Sequence, residues 1–339
     1  MESENVLVKV LVVRFSSMGD ILLTTPVLRA IHDVIEGEVE LHFLTKKAFA
    51  PLVEGLESVQ VVHTIERATT EVEPALKAVG FHYVVDLHSS ARSGFVRRAL
   101  VRDGALAFRV DKRNFSKLKL VRGGTNDLAG EHIVDRYAKC LAAFGMVALG
   151  GLELPALPAV EVRAGRELLA GGFVAIAVGA AHEGKTVPVG HWVEVVRALK
   201  AAGSEVVLLG GPDDRPAAGL VELEESGVLN LVGELSLLES FAVLAAARVL
   251  VVGDTGLMHA GAAAGVPMVV VWGCTAPALG MAPYKAHLQT IELEPEGRRM
   301  VEGVRRPCSK LGNRCRYKTP CIETVSAERI SAAIFGLLS

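Results

Sequence analysis

The chain has 339 residues, a length that favours two domains over one. Half of the residues are hydrophobic but only 5% are aromatic, so the composition predicts an aliphatic core of the kind found in α/β proteins. The formal net charge of −2 gives no overall reason to expect nucleic-acid binding, and any basic function must be local.

Short apolar strands alternate with helical stretches along the first half of the chain. Residues 9–15 predict a buried strand, and residues 21–34 predict the following helix, with Pro26 near its first turns. Further strands are predicted at 39–44, 59–65, 83–87 and 106–110, and a last helix at 132–144. This alternation is typical of parallel βαβ units with right-handed crossovers.

A second alternating series follows residues 150–160, the best linker candidate because its prolines disfavour helix. The predicted domains are therefore 1–155 and 156–323, and a C-terminal helix in 324–339 is expected to pack back across the hinge. Two Rossmann-like domains of this kind face a central cleft, which binds ligand at the carboxyl ends of the strands. The elements predicted in the second half are 173–178, 192–201, 205–209, 229–232, 238–247, 249–252 and 268–272.

A glycine-containing junction, RFSSMGDILLTTP at residues 14–26, joins the first strand to the first helix. Gly19 lets the backbone approach a ligand closely, and Asp20 lies at the helix start. One interpretation makes Asp20 a helix cap, which is common at such a position. The other makes it a general base that removes a proton from an attacking hydroxyl; burial against the substrate then offsets the acidifying helix N-terminus.

Residues 179–186, GAAHEGKT, match the phosphate-loop pattern G-x-x-x-x-G-K-[ST] and follow an apolar strand. In a nucleoside triphosphatase, the lysine and threonine of this pattern lie in the first turn of a long helix. Pro188 and Gly190 follow Lys185 within five residues, so we predict that the helix begins near His191 instead. Lys185 is expected to bind phosphate in either interpretation.

The stretch 249–273 carries the strongest anion-binding signal. A buried strand leads into the turn Gly253-Asp254-Thr255-Gly256 and then into a short helix at 257–264. Free backbone N–H groups and the positive end of the helix dipole face the space above the strand end. Asp254 can cap the helix or accept from ligand hydroxyls, Thr255 can donate to a phosphate, and His259 lies one turn in. A capped helix in an α/β core is the plain structural alternative.

A further strand end, LLGGPDDR at residues 208–215, places two adjacent acids after a glycine–proline turn. Asp213 is a candidate acceptor for ribose hydroxyls, and an exposed turn is the alternative. The sequence has no Asp-x-Asp pair that would hold a nucleotide-bound divalent metal. This favours charge neutralisation by Lys185 and helix dipoles.

Two basic runs stand out on a chain with little net charge. Residues 97–122 contain nine Lys/Arg against two acids, and residues 305–318 contain six basic residues and no acid. Such runs are typical of solvated faces. The first also suits an anionic substrate at an anionic membrane surface, and its predicted contacts, with one residue just upstream, are Arg92, Arg97, Arg98, Lys112 and Arg113.

Three cysteines, Cys308, Cys315 and Cys321, lie in or beside the second run. Their spacings, six and five intervening residues, fit no common zinc or cluster signature, and no fourth ligand is evident. We therefore expect structural or idle thiols, and a metal site is the alternative.

With these residues in view, the chain resembles the ADP-heptose:lipopolysaccharide heptosyltransferases, glycosyltransferase family 9, nearly from end to end. The motifs that carry the resemblance are RFSSMGDILLTTPVLRAI, Lys185 with its following proline, GGPDD and GDTGLMHAGAAAGVPMVVVWGCTAP. The resemblance implies the two-domain glycosyltransferase B fold. It also implies transfer of a heptose from an ADP-sugar to the lipopolysaccharide core, inverting the anomeric centre, with no cofactor and no chelated metal in the active site.

Position by position, the resemblance implies that Asp20 is the catalytic base. Some family members carry hydroxyl residues where this chain has Ala180 and Ala181, so those phosphate contacts are absent here. The predicted acceptor contacts are Ser17 and the five basic residues named above. The implied donor contacts are Gly19, Lys185 on the diphosphate, Thr186, Asp213 on the ribose, and Asp254, Thr255, Gly256 and His259 at the nucleotide end.

We expect a cytoplasmic enzyme at the inner face of the inner membrane, acting on a nucleotide-sugar donor and a lipid A–Kdo acceptor and binding no nucleic acid. No signal peptide is predicted, because the apolar run 6–13 contains Lys9 and meets Arg14 at once. No stretch approaches the about 18 apolar residues that span a bilayer. The alternatives are a phosphate-loop triphosphatase, a transferase or epimerase using another nucleotide sugar, and a donor-binding protein without catalysis.

Overall fold

The computed structural model describes residues 6–161, 163–164, 167–168, 172–285, 289–313, 315 and 320–339. The chain divides into two compact units, each with its own parallel sheet. Unit 1 comprises Met1–Lys112 and Glu131–Ala156, and unit 2 comprises Arg113–Gly130 and Leu157–Ser339. No helix among the described residues is long and apolar enough to cross a membrane.

The sheet of unit 1 has five strands: Leu7–Val13 (β1), Glu38–Lys46 (β2), Val61–Ile65 (β3), Tyr83–Asp86 (β4) and Leu106–Arg109 (β5). Their order across the sheet is β3-β2-β1-β4-β5, and every pair of neighbours is parallel. The central strand β1 is apolar and largely buried, as expected for a parallel strand covered on both faces. The five strands predicted in this half are all present.

Pro26 divides the first predicted helix into two. The structure has Met18–Leu22 (α1) and Thr25–Val34 (α2), and the Thr24 Oγ1 hydroxyl donates to Ile21 O (2.7 Å) at the break. Proline has no N–H to donate and is favoured in the first turn of a helix, so α2 restarts there. The single helix expected at 21–34 was therefore wrong.

Several more helices lie between and after the strands in the first half of the chain. The helix predicted at 132–144 is α-helical only in its first half and continues as a 3-10 helix, Lys139–Phe144. Two more 3-10 helices are Lys47–Leu52 and Thr69–Glu71. The remaining α-helices up to residue 144, one of which belongs to unit 2, are Glu73–Val79 (α3), Ala91–Arg102 (α4), Asn114–Arg122 (α5) and Ile133–Ala138 (α6).

The main sheet of unit 2 has six parallel strands: Phe173–Ala177 (β8), Glu205–Leu209 (β9), Leu229–Asn230 (β10), Val249–Gly253 (β11), Met268–Val271 (β12) and Thr290–Leu293 (β13). Their order is β10-β9-β8-β11-β12-β13. The edge strand β13 was missed in the sequence, because its glutamate and threonine interrupt the apolar run. Two antiparallel pairs of two-residue strands lie outside this sheet: Arg163–Ala164 (β6) with Glu167–Leu168 (β7), and Met300–Val301 (β14) with Val304–Arg305 (β15).

The helices of unit 2 are α5, Val189–Ala201 (α7), Arg215–Glu224 (α8), Leu237–Ala245 (α9), Gly256–Ala264 (α10) and Ala327–Leu338 (α11). Short 3-10 helices are Glu183–Lys185, Pro212–Asp214, Pro277–Leu279 and Cys321–Thr324. The C-terminal helix α11 buries Ile330 and Ile334 in the core of unit 2.

Helix α5 packs on unit 2 although it precedes the predicted linker. Leu120 on this helix lies in a small apolar cluster with Leu279 and Val301. The Arg306 Nε group donates to Val121 O (2.9 Å). These contacts explain why residues 113–130 group with the C-terminal half.

Candidate functional site

Three neighbouring strands of unit 2, β8, β11 and β12, direct their carboxyl ends to one edge of the sheet. Lys185 follows β8, and its Nζ lies 2.8 Å from Oδ2 of Asp254, which follows β11. The Thr275 hydroxyl, after β12, donates to the same carboxylate oxygen (2.7 Å). The Lys185 and Asp254 side chains are only 16% and 11% exposed, so the cation is held in a fixed position near the surface.

Glycines allow the loops at this edge to pack backbone against backbone. A Cβ on Gly273 would lie 2.1 Å from Gly184 O, and one on Gly253 would lie 3.1 Å from Lys185 O. Real Cβ atoms do not come as close as the first of these distances. The segment that carries Lys185 is therefore seated directly on the ends of β11 and β12.

The N-terminus of α10 lies beside this pair, and its first residue is the predicted Gly256. Thr255 is the N-cap residue, and its Oγ1 is buried without a hydrogen-bond partner among the described residues. His259, one turn further, is 3% exposed. An unsatisfied hydroxyl next to free helix N–H groups is the arrangement that a phosphate or hydroxyl ligand would complete.

The phosphate-loop interpretation is wrong. Lys185 ends a 3-10 turn, and Thr186 is extended (ψ 123°) rather than helical. The next helix, α7, begins only at Val189, two residues before the predicted start, with Pro188 as its N-cap. The lysine and threonine thus lie outside the helix, unlike in a triphosphatase.

The two acids of the GGPDD turn have different surroundings. Asp213 is exposed. Asp214 turns inward, accepts from the Gly211 N–H (2.8 Å) and lies so close to Gly179 that a Cβ there would meet its Oδ1 at 1.8 Å. Of these two acids, Asp214 is therefore the one that lies against Gly179, just after β8.

Asp20 lies in unit 1, near the carboxyl end of β1. It occupies the third position of α1, whose N-cap is Ser17, and its Oδ2 accepts from the Ser17 N–H (3.2 Å) and the Ser17 hydroxyl (2.9 Å). Oδ2 also lies 2.6 Å from Nη2 of Arg14. Asp20 thus has a capping contact, as the structural alternative expected, yet its side chain remains 23% exposed.

Arg14 is the buried cation of this region that sequence reasoning missed. It is 4% exposed, and besides Asp20 it donates to Ser16 O (2.8 Å), Leu87 O (2.7 Å) and the Tyr137 hydroxyl (3.1 Å). Burial opposes the charge, but Tyr137, Asp20 and Asp86 outweigh it and raise the pKa of Arg14. A permanent buried cation therefore orients the Asp20 carboxylate. The only sequence signal was an arginine directly after the apolar run Val10–Val13.

Around this pair, burial favours the neutral forms of the basic groups. Burial, with the nearby charges of Arg14 and Lys112, lowers the pKa of His88 to about 4. Burial, and then Arg14, also lowers the pKa of Lys112. The predicted acceptor contact Lys112 is thus half-buried and electrostatically coupled to Asp20.

The remaining predicted acceptor arginines differ in their freedom to bind. Arg92 and Arg98 are exposed on α4. The Arg97 Nε lies 3.5 Å from Oδ2 of the fully buried Asp86, an ion pair within the fold. Arg113, in unit 2, donates to the Ser116 hydroxyl (3.3 Å) and to Asp127 O (3.0 Å).

The family of the chain follows from a comparison with protein-family models. The model described as glycosyltransferase family 9 (heptosyltransferase) matches residues 70–305, more than half of the chain. The chain belongs to glycosyltransferase family 9. The resemblance drawn from the sequence motifs is thereby confirmed.

Individual relatives of this family 9 member agree with the assignment. Lipopolysaccharide heptosyltransferase 2 of Salmonella typhimurium (strain LT2) is 34% identical over 92 residues, which are 26% of this chain and 26% of that protein. The protein of the same name from Escherichia coli (strain K12) gives the same figures. The chain thus matches about a quarter of the length of these curated relatives.

Solved structures share the fold over nearly the full length. A family 9 glycosyl transferase from Veillonella parvula DSM 2008 matches with a TM-score of 0.77 at 19% identity, covering 100% of this chain and 98% of the other. The ADP-heptose heptosyltransferase II of E. coli gives a TM-score of 0.70 at 19% identity, covering 97% and 98%. The predicted α/β class with two parallel sheets of the glycosyltransferase B type is therefore confirmed.

The cysteines gather more closely than the sequence indicated. The Sγ atoms of Cys308, Cys315 and Cys321 lie together with that of Cys274, all within 4.8 Å of one another. Cys274 was overlooked because 33 residues separate it from Cys308 and it stands directly after the GVPMVVVWG segment. The fourth member of the cluster is therefore present.

Proposed function

We propose that this chain is an inverting heptosyltransferase that moves a heptose from ADP-heptose to an inner-core lipopolysaccharide acceptor. The observation that carries the proposal is the Lys185–Asp254 pair at the sheet edge of a family 9 chain. Relatives named lipopolysaccharide heptosyltransferase 2, and a similar solved structure described as a heptosyltransferase with ADP, support the choice of donor and acceptor.

Lys185 and the α10 N-terminus are proposed to bind the donor diphosphate. An ammonium has three donors, so Lys185 can keep Asp254 and still donate to phosphate oxygens. As the bond from the anomeric carbon to the diphosphate breaks, negative charge builds on the departing ADP. A held lysine and oriented helix N–H groups stabilise that charge at the moment it forms.

Asp20 is proposed to act as the general base on the acceptor. The acceptor oxygen forms a bond to the anomeric carbon on the face opposite ADP, and its proton passes to the Asp20 carboxylate. The hydroxyl becomes strongly acidic as the new bond forms, so a carboxylate held by Arg14 remains a sufficient base. Attack opposite the leaving group inverts the anomeric centre.

The acceptor is a sugar-phosphate lipid with several negative charges. The exposed Arg92 and Arg98 on α4 are proposed to attract it, with Lys112 and Ser17 near Asp20. The same charges would favour a cytoplasmic location at the anionic face of the inner membrane. Co-sedimentation with vesicles containing about one third anionic lipid, compared with neutral vesicles, tests the location. Equal recovery with both kinds of vesicle would contradict it.

Transfer is proposed to need no added divalent metal, because Lys185 and helix N–H groups supply the positive charge. Transfer rates with and without magnesium check this directly. A strict requirement for magnesium would contradict it.

The experiment that tests the proposed function offers the purified chain a panel of ADP-, GDP- and UDP-sugars. Thermal shifts identify the donor, and mass spectrometry of a lipid A–Kdo acceptor then identifies the product. We expect ADP-heptose to stabilise the protein and the acceptor to gain one heptose only when both substrates are present. Turnover of donor alone would indicate an epimerase, and ADP-sugar binding without any product would indicate a binding protein; either result would overturn the proposal.

A further inference from the structure

Four cysteines of unit 2 form a cluster that is separate from the residues proposed to bind donor and acceptor. Cys274 follows β12, Cys308 follows β15, and Cys321 begins the 3-10 helix before α11. Cys274, Cys308 and Cys321 are buried, and Cys315 is half-buried. Elements far apart in the sequence thus bring their thiols to one point.

The spacing of the sulfurs fits one tetrahedrally bound ion. The Sγ atoms of Cys308 and Cys321 lie 3.9 Å apart, and all four lie within 4.8 Å of one another. Four thiolates around zinc at about 2.3 Å would lie about 3.8 Å apart. A cubane iron–sulfur cluster holds its four thiolates on different iron atoms and needs a wider arrangement. A disulfide needs sulfurs about 2.05 Å apart, and none of these four cysteines is disulfide-bonded.

A buried arginine supplies an independent observation. Arg298 is 5% exposed, and its described hydrogen bonds run to Thr275 O (2.8 Å) and to the Cys321 sulfur (3.0 Å), not to a carboxylate. Its Nε is buried without a partner among the described residues. A buried guanidinium is costly unless an anion faces it. Glu294 interacts electrostatically with Arg298, but it makes no described hydrogen bond to it and also pairs with Arg305. Four thiolates around a divalent ion carry a net charge of −2 and would place an anion at the guanidinium edge that donates to the Cys321 sulfur.

We propose that Cys274, Cys308, Cys315 and Cys321 bind one thiophilic divalent metal ion, zinc or iron, as a structural site. Binding forms four metal–sulfur bonds and releases the four thiol protons to solvent; no electron is transferred.

The cysteine cluster contacts the backbone that supports the proposed donor-binding residues. The Cys274 N–H donates to Gly184 O, next to Lys185, and Thr275 binds Asp254. The backbone of Gly312, in the loop between Cys308 and Cys315, packs so closely on Lys185 that a Cβ there would lie 2.5 Å from Lys185 Cγ. Fixing the thiols therefore fixes the loop that seats this lysine.

The test measures metal in the full-length protein, purified under reducing conditions without chelator from cells grown with added zinc or iron. Elemental analysis should find about one zinc or iron ion per chain. Cobalt exchanged into the site should give the absorption of tetrahedral thiolate coordination. Zinc and iron both support the site, and the analysis tells which ion occupies it.

Matched variants separate the site from general metal binding. Cys274→Ser should lose at least about nine tenths of the metal, whereas Cys140→Ser, in the buried cysteine of unit 1, should retain it. Folded wild-type protein that contains no metal and gives no cobalt–thiolate absorption would overturn the proposal. So would a disulfide between cluster cysteines in freshly reduced protein. Neither readout involves sugar transfer, so failure here is distinct from failure of the proposed function.

Discussion

The position of Lys185 makes a quantitative prediction for nucleotide binding. Lys185→Met removes the ammonium while keeping a side chain of similar length. One charge-assisted contact contributes about 1.5–3 kcal/mol, so ADP binding should weaken about 10–150-fold. The effect should fall in the upper part of that range, because Asp254, 11% exposed and 2.8 Å from Nζ, then presents an uncompensated charge to the phosphates.

Calorimetric titration with ADP, AMP and adenosine separates the phosphate contribution from the nucleoside contribution. We expect Lys185→Met to weaken ADP most and adenosine least. The double variant Lys185→Met/Asp254→Asn should recover part of the ADP affinity, since it removes the repelling carboxylate. Lys200→Met, at the other end of α7, is the matched control and should bind ADP like the wild type. ADP affinity within twofold of wild type in Lys185→Met, or an equal loss for adenosine, would refute the reasoning.

Three further predictions concern the packing, pH response and charge of the two units. Gly273→Ala should lower the free energy of unfolding by about 1–3 kcal/mol and weaken ADP binding, because its Cβ would lie 2.1 Å from a backbone oxygen. Gly190→Ala, where a Cβ would meet nothing within 4 Å, should do neither. Equal urea midpoints for the two variants would contradict this prediction. Burial holds the pKa of His88 at about 4 against 6.5 in the unfolded chain, so the unfolded state binds the extra proton and stability falls as pH drops through that window. The urea midpoints at about pH 7 and about pH 5 should differ less in His88→Gln than in wild type. The same difference in both proteins would contradict a contribution of His88 to the pH dependence of stability. Arg98→Ala should raise the acceptor KM at low salt but not at high salt. Arg97→Ala should mainly lower the urea midpoint, because it removes the side chain that pairs with Oδ2 of the buried Asp86. The reverse pattern would contradict the assignment.

Sequence patterns predicted the central parallel strands well, because strands such as β8, β11 and β12 are buried on both faces and therefore read as apolar runs. Of the ten described strands with more than two residues, all except β13 were expected. The Gly253–Gly256 turn was correctly placed between β11 and α10. Pro26 shows the limit of periodicity, since one apolar pattern continues across two helices. The packing of α5 on unit 2 rests on Leu120 and Val121, whose partners lie more than 150 residues away in the sequence.

The candidate sites could be predicted only where the chemistry is local. The residues at the Lys185 and Asp254 loops follow recognisable strand ends, but their 2.8 Å contact depends on the adjacency of β8 and β11. The sequence around Arg14 did not indicate its role, because that role depends on burial and on contacts with Asp20 and the distant Tyr137. Cys274 likewise joins the other thiols only through the fold, since no short spacing connects it to them.

Sugar transfer with Asp20 as base is the central claim, and the turnover of Asp20→Asn tests it most directly. Acceptor-dependent release of ADP from ADP-heptose should fall about 10²–10⁴-fold in this variant, with the ADP Kd unchanged. Asp33→Asn, an exposed carboxylate on α2, should keep wild-type turnover. Turnover of Asp20→Asn within about threefold of wild type, in folded protein, would reduce Asp20 to a helix-capping residue and contradict the account.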